Sequence, residues 1–261
     1  MNPIKLILDY RLLLRQTTKH EIRKKYTGSY LGMGWMILYP MFFLGAYTTV
    51  YLFIFKVSVQ SYGALEYILL IFCGLIPFLG FSEALSSGVS AVTANRSLIR
   101  NTMFPIELVV VQVLLASQVT SVASTLMLLV SLLFVKGLSV WFLFYPLLWL
   151  LQLMFLIGLL WILSSLNVFF RDLQYFINIL VLLLMMLSPI AYTIEMIPKG
   201  LQFIVYANPI SHFIFCSQHL LFLGKMPPTT SLLVVLLLSP ALFFVGYVLF
   251  YRLKKIMIDY V

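Results

Sequence analysis

Six apolar stretches of about 20 residues recur along the chain, near residues 35–55, 67–91, 105–135, 140–166, 175–192 and 231–251. As a helix, each is long enough to cross the ~30 Å of hydrocarbon in a bilayer. A soluble domain of this length has no interior in which to hide them. The charged fraction is 10% and the hydrophobic fraction 62%, against about 25% and 45–50% in soluble domains, and the mean hydropathy is +1.06. These figures exclude a water-soluble globular protein. They predict an all-α polytopic membrane protein with six transmembrane helices.

Charge gives the spans a side. With the N-terminus taken as cytoplasmic, 13 Lys and Arg fall inside, while Lys56, Lys136, Lys199 and Lys225 fall outside. This is the positive-inside pattern, so the formal net charge of +9 reports orientation rather than affinity for nucleic acid. Both termini are expected in the cytoplasm, and no removable signal peptide is expected. Residues 1–34 read as one unit, an amphipathic helix and a Gly-rich connector, ahead of a six-helix unit at 35–261. In the first unit Arg11, Arg15, Lys19 and Arg23 recur every four residues, followed by Lys24 and Lys25. That spacing lays positive charge along one helix face, with Leu12, Leu13 and Leu14 placed to enter the headgroup boundary. An interfacial helix lying on membrane lipids is the expectation, and a solvated basic tail is the plainer reading. Between the fifth and sixth spans, Pro198, Pro209, Pro227 and Pro228 cut an apolar segment into pieces too short to cross. Two short re-entrant or external helices are therefore expected within about 195–228. A full crossing there would send the basic tail after Tyr251 outside, against the charge rule.

Catalytic groups are sparse. Glu83 is the only ionisable residue well inside a predicted span, among Ser82, Ala84, Ser86, Ser87, Gly88 and Ser90. Small, polar surroundings suit a watered cavity or close helix packing, and both readings stay open for Glu83. His212, Cys216 and His219 share one helix face but lack a fourth ligand nearby, so no metal site is assigned. Cys73 and Cys216 lie in apolar surroundings and make no disulfide framework. The only Gly-Lys pair, Gly224–Lys225, lacks the rest of a nucleotide-binding loop, so any nucleotide must bind to another subunit. No likeness between halves is visible, which counts against an inverted-repeat secondary transporter.

The first span carries Tyr39, Phe43, Tyr47, Tyr51 and Phe55 at intervals of four residues. Each step turns ~40° round a helix, giving a slowly winding aromatic track. A tyrosine hydroxyl near mid-membrane is costly without a partner, so the track should face protein or a polar conduit. Rings with polar tips suit the sliding passage of a sugar polymer, and packing in a dimer interface is the alternative. Two short connections, 95–100 and 170–173, set charges beside apolar anchors. Either can meet a cytosolic partner or serve only as an orientation signal.

Three segments in this order resemble the membrane-spanning subunit of ATP-binding-cassette polysaccharide exporters: 22–40 (IRKKYTGSYLGMGWMILYP), 95–107 (NRSLIRNTMFPIE) and 167–228, with FFRDLQ, LSPIAYTIEMIPKG and YANPISHFI. The resemblance implies a homodimeric permease in the bacterial cytoplasmic membrane. Two copies of a separate ATPase would hold ATP and Mg, with no cofactor on this chain. The cargo would be a lipid-linked polysaccharide of the O-antigen, capsule or teichoic acid class. By position, the N-terminal helix matches the family's gate helix, and Asn95, Arg96, Ser97, Leu98, Ile99 and Arg100 match its coupling helix. Residues 197–223, with Pro198, Asn208 and Pro209, match its external gate. The aromatic track and Glu83 would then line the channel. Lys25 stands where an Arg is expected, and Gln218 and His219 where an Arg often follows the Asn-Pro. An exporter of small hydrophobic compounds, or a membrane-embedded glycosyl- or acyltransferase, is the alternative function.

Overall fold

The computed structural model describes residues 3–56, 63–101, 104–192 and 197–260, which are helical with no strand among them. Residues 1–2, 57–62, 102–103, 193–196 and 261, and with them parts of both expected units, lie outside the described residues. Helices α1 (Pro3–Asp9) and α2 (Arg11–Tyr26) lead through a 3-10 turn at Gly32–Gly34 into α3 (Trp35–Thr48), which continues as a π-helical turn over Thr49–Ile54. After α4 (Ala64–Gly88) come the short α5 (Ala91–Ala94) and α6 (Arg96–Asn101), then α7 (Ile106–Val135), α8 (Tyr145–Phe169) and α9 (Leu173–Leu187). Short α10 (Gln202–Ala207) and α11 (Pro209–Ser217), the latter extended by a π-helical turn over Gln218–Leu223, precede the long α12 (Thr229–Tyr260).

The starts of these helices follow from local chemistry. At α4 the Glu66 carboxylate accepts the Gly63 N–H at 3.2 Å, and at α11 the Asn208 side-chain oxygen accepts the Ile210 N–H at 3.1 Å. Pro105 and Pro228 stand just before α7 and α12, and Pro209 and Pro146 are the first and second residues of α11 and α8, where a missing N–H is tolerated.

Helix α4 is the axis of the subunit. Every residue from Leu69 to Phe81 is buried, as a helix apolar on all sides requires. Pro77 interrupts it and leaves the Cys73 carbonyl without its helical donor. The Ser217 hydroxyl supplies one at 2.7 Å, while Gln152 donates to the Pro77 carbonyl at 2.7 Å and Gln118 to the Gly80 carbonyl at 2.9 Å. Side chains from α11, α8 and α7 thus clasp one kink. Helices α8 and α12 form the closest pairing: a Cβ on Gly246 would lie 2.2 Å from the Gly158 carbonyl oxygen, so only glycine permits the crossing. Beside it Trp161 is fully buried between Phe243 and Tyr247, with ring centroids 5.2 and 5.3 Å away.

Among the described residues, five stretches are long and apolar enough to cross a membrane: Gly32–Ile54, Ala64–Gly88, Ile106–Val135, Val140–Phe169 and Thr229–Met257. The span expected at 175–192 is instead the 15-residue α9, about 22 Å long. A bent, non-helical piece, 188–191, carries the chain onward. Its backbone would be unsatisfied in hydrocarbon, and it is completed by protein. Gln218 donates to the Pro189 and Ile190 carbonyls at 3.4 and 3.3 Å, and the Tyr67 hydroxyl donates to the Ala191 carbonyl at 2.5 Å. The Ile190 N–H returns to the Ser188 carbonyl at 2.8 Å, and the Asn208 amide donates to the Ser188 hydroxyl at 2.9 Å. The segment from Leu173 to Ala191 therefore runs from beside the C-terminal end of α4 to its N-terminal end, as a shorter apolar helix rather than a sixth full span.

Helices α10 and α11 stand where two short helices are expected. The α11 segment begins beside Ser188 and Ser231 and ends with Phe222 under the Lys136 ammonium, 4.1 Å from the ring centroid. Its middle reaches Cys73 and Phe155 in the bundle.

Candidate functional site: an aromatic ladder, its inner cavity and two polar ends

Two ends of the bundle differ in charge because the short connections differ. At one end Asn167 donates to the Thr93 hydroxyl at 3.4 Å, Phe169 meets Tyr260 at 5.4 Å, and Lys254 pairs with Glu107 at 2.7 Å. Arg96, Arg100, Arg171, Arg252 and Lys255 belong to the same end. Lys136 and Lys225 stand at the opposite end, beside the close of the α11 segment.

Helix α6 is built as a small amphipathic surface piece. Ser97 and Arg100 are exposed, whereas Leu98 and Ile99 pack against the core. Asn95 closes α5 by donating to the Ala91 carbonyl at 2.9 Å, which turns the chain into α6. Arg96 is half-buried.

In the N-terminal helix Arg11, Arg15, Lys19, Arg23 and Lys24 are exposed, and Leu14 is buried. Leu12 and Leu13 stay exposed, free for the lipid boundary. Lys24 reaches only its neighbour Glu21, at 3.7 Å. Lys25 departs from the rest of the collar and turns inward to an ion pair with Glu83 of α4. Burial pulls the Lys25 ammonium down, but the charge and hydrogen bond of Glu83 outweigh it, and its pKa rises above the ordinary lysine value. The amine is a cation throughout the physiological range. Of the two readings left open for Glu83, the structure gives it a partner and a cavity at once.

That cavity, of about 430 Å³, is lined by Lys25, Tyr26, Ser29, Trp35, Tyr39, Glu83 and Thr120. The Trp35 indole N–H donates to the Ser29 hydroxyl at 3.0 Å, and the Tyr26 and Thr120 hydroxyls lie 3.4 Å apart. From Tyr39 the ring series climbs α3. Tyr39 and Phe43 are 4.9 Å apart, Tyr47 and Tyr51 stack at 5.9 Å, and Tyr51 meets Phe55 edge-on at 5.7 Å. The ladder has two sections, since no ring contact joins Phe43 to Tyr47 among the described residues. The Tyr47 hydroxyl donates to the Met185 carbonyl of α9 at 3.2 Å, which meets the cost of a polar group at that depth. Of α3 itself only Pro40 is fully buried: Phe43, Leu44 and Tyr47 are half-buried against the core, while Trp35, Ile37, Tyr39, Met41 and Phe42 stay exposed and leave one flank of the helix uncovered by its own chain.

At the other end, Asn208 and Pro209 act as the cap and first residue of α11, and Pro198 accepts the Leu201 N–H at 2.8 Å. His212 is engaged at both ring nitrogens, by the Ser231 hydroxyl at 3.1 Å and the Tyr206 carbonyl at 2.9 Å. His219 turns to the Phe215 carbonyl at 2.8 Å.

Sequence reasoning missed Trp35 and Thr120 as cavity walls, and the pair Glu107–Lys254. It also missed the donors Gln118, Gln152, Ser217 and Gln218. A signal existed for the glutamines: an amide inside an apolar span must find a partner, and Pro77 advertised a free carbonyl.

Helices of membrane-crossing length around a central helix interrupted by Pro77 define an all-α polytopic membrane protein as the class. The family model for the ABC-2 type transporter matches residues 13–222, and the chain belongs to that family. It is 25% identical over 242 residues to the O-antigen export system permease protein RfbA of Myxococcus xanthus, covering 92% of this chain and 91% of that one. Two proteins of the same name from Klebsiella pneumoniae are each 28% identical, over 245 and 217 residues, covering 93% and 82% of this chain and 92% and 82% of theirs.

Proposed function

We propose that this chain is the permease subunit of an ATP-driven exporter that moves a lipid-linked polysaccharide across the bacterial cytoplasmic membrane. Two copies form the channel. Two copies of a separate ATPase, which hold ATP and Mg, sit beneath the basic end, and both termini of the permease face them in the cytoplasm. The observation that carries this reading is the aromatic ladder on α3, a helix of which only Pro40 is fully buried by its own chain. Such a helix needs a second copy or a conduit beside it, and rings with hydroxyl tips offer a sugar chain many weak, equivalent holds. The likeness to O-antigen export permeases over most of the chain supports the cargo class.

In this reading α6 receives the motion of the ATPase through Ser97 and Arg100, and its inward Leu98 and Ile99 pass it to the bundle. The exposed cations of α2 gather the anionic lipid end of the cargo, each worth about 1 kcal/mol near a membrane surface. Helices α10 and α11, held by Asn208 and Pro209, close the far end until the two halves separate. The test is genetic and biochemical. Cells lacking the chain should accumulate lipid-linked polymer inside, and the purified chain should co-isolate with an ATPase whose hydrolysis drives polymer into vesicles. Polymer export that continues without the chain, or transferase activity from the chain alone, refutes the reading.

A further inference from the structure

The cavity at the foot of the ladder differs in make-up from the rest of the path. It joins three aromatic residues, Tyr26, Trp35 and Tyr39, to the Ser29 and Thr120 hydroxyls and to one carboxylate and one ammonium. A pyranose has the complementary shape, with a C–H face that stacks on rings and a rim of hydroxyls that donate to a carboxylate. At about 430 Å³ the space falls within the ~300–1,000 Å³ of small-molecule sites, which pair an apolar wall with a few placed polar groups. Its parts are already oriented. Ser29 holds the Trp35 indole at 3.0 Å, and Lys25 lies 5.3 Å from the centroid of the Tyr26 ring. The two charges are placed unequally: the Lys25 side chain is 41% exposed at the rim, and that of Glu83 is 18% exposed further in.

We propose that this cavity binds the glycosyl phosphate unit by which the saccharide is joined to its lipid. The first sugar stacks on Trp35 and Tyr39 with hydroxyls on Glu83, and the phosphate takes the Lys25 ammonium. The proposal rests on the polysaccharide reading above and adds which part of the cargo is held and where. A phosphate is a strong acceptor for Lys25, and sugar hydroxyls replace the ammonium on Glu83, so both charges keep partners when the ion pair opens. A lipid phosphate without a sugar cannot do this, because it leaves Glu83 unpaired within a span. The Lys25–Glu83 pair also ties the last turn of α2 to α4. Occupancy of the cavity therefore removes the tie between α2 and α4 while Tyr26 stays beside Thr120 of α7, and loading of the first sugar loosens the end of the N-terminal helix.

The test uses the full chain in lipid nanodiscs with Ser29→Cys as a reporter of cavity access, a variant accepted only if its Trp35 fluorescence response to the probe matches that of the native chain. Cys73 and Cys216 are buried, so maleimide labelling reports position 29. With N-acetylglucosamine 1-phosphate as probe, labelling should slow several-fold, with free N-acetylglucosamine or inorganic phosphate slowing it much less. The protection should vanish in Lys25→Met and in Trp35→Ala. Labelling that ignores the probe, slows equally with inorganic phosphate, or stays protected in both variants overturns the proposal. Intrinsic fluorescence of the unmodified chain gives an independent reading, since Trp35 is the tryptophan among the cavity residues. The probe should change its emission, Trp35→Phe should abolish the change, and an unchanged spectrum with the native chain overturns the proposal. Export by cells is scored in parallel. Normal export that depends on the chain, without protection, rejects the subsite alone, whereas export independent of the chain rejects the permease reading.

Discussion

At the residue scale, the bundle is governed by carbonyls and charges that water cannot reach. Ser217→Ala removes the donor to the Cys73 carbonyl and should cost about 1 kcal/mol, within the range for hydrogen bonds between membrane helices. Pro77→Ala restores the helical N–H, so in that background the Ser217 substitution should cost much less. Thermal unfolding of the two single variants and the double variant in detergent measures this non-additivity, and additive losses would contradict the clasp. Glu107 is nearly as confined, with a side chain 3% exposed against 32% for Lys254. Lys254→Met strands a buried carboxylate and should cost about 3 kcal/mol, while adding Glu107→Gln should recover most of it. A chemical-denaturation series over the same three variants tests the pair.

At the scale of elements, the α8–α12 crossing rests on two glycines rather than on large side chains. Gly246→Ala places a methyl into the Gly158 backbone and forces the helices apart. The expected outcome is a melting temperature lowered by several degrees, with loss of the close pairing read from an interhelical cysteine cross-link. The crossing illustrates what sequence pattern reaches and where it stops. Span positions, the interruption at Pro198 and Pro209, and the ring spacing on α3 were legible because length, proline and period act locally. The length of α9 was not, since a continuous apolar run reads as one helix until Ser188 and Pro189 are seen bonded elsewhere. Lys25 and Lys254 were counted as orientation charges for a related reason: their partners, Glu83 and Glu107, lie 58 and 147 residues away. Hydropathy carries no information about which cation turns inward. The ladder was legible as a period, but not its break between Phe43 and Tyr47, which depends on how α9 meets Tyr47.

At the scale of the whole molecule, a rigid axis and an uncovered flank divide the work. Helix α4 is clasped from three sides, whereas α3 keeps one flank exposed, so the subunit is finished as a fold and unfinished as a conduit. The non-helical piece at 188–191 must be completed by side chains made later as well as earlier than itself. Its Pro189 and Ile190 carbonyls are completed by Gln218, and its serine by Asn208, groups that leave the ribosome later than the segment they serve, whereas the Tyr67 hydroxyl on Ala191 is made before it. Helix α9 emerges too short to settle on its own. It must wait, loosely held, until the α11 segment docks. Biogenesis therefore ends with a closing act at the far face rather than with the last helix inserted. Gln218→Leu should leave a cysteine placed at Ala191 open to a membrane-impermeant thiol reagent long after synthesis, while the same cysteine beside the native glutamine becomes inaccessible as the subunit matures.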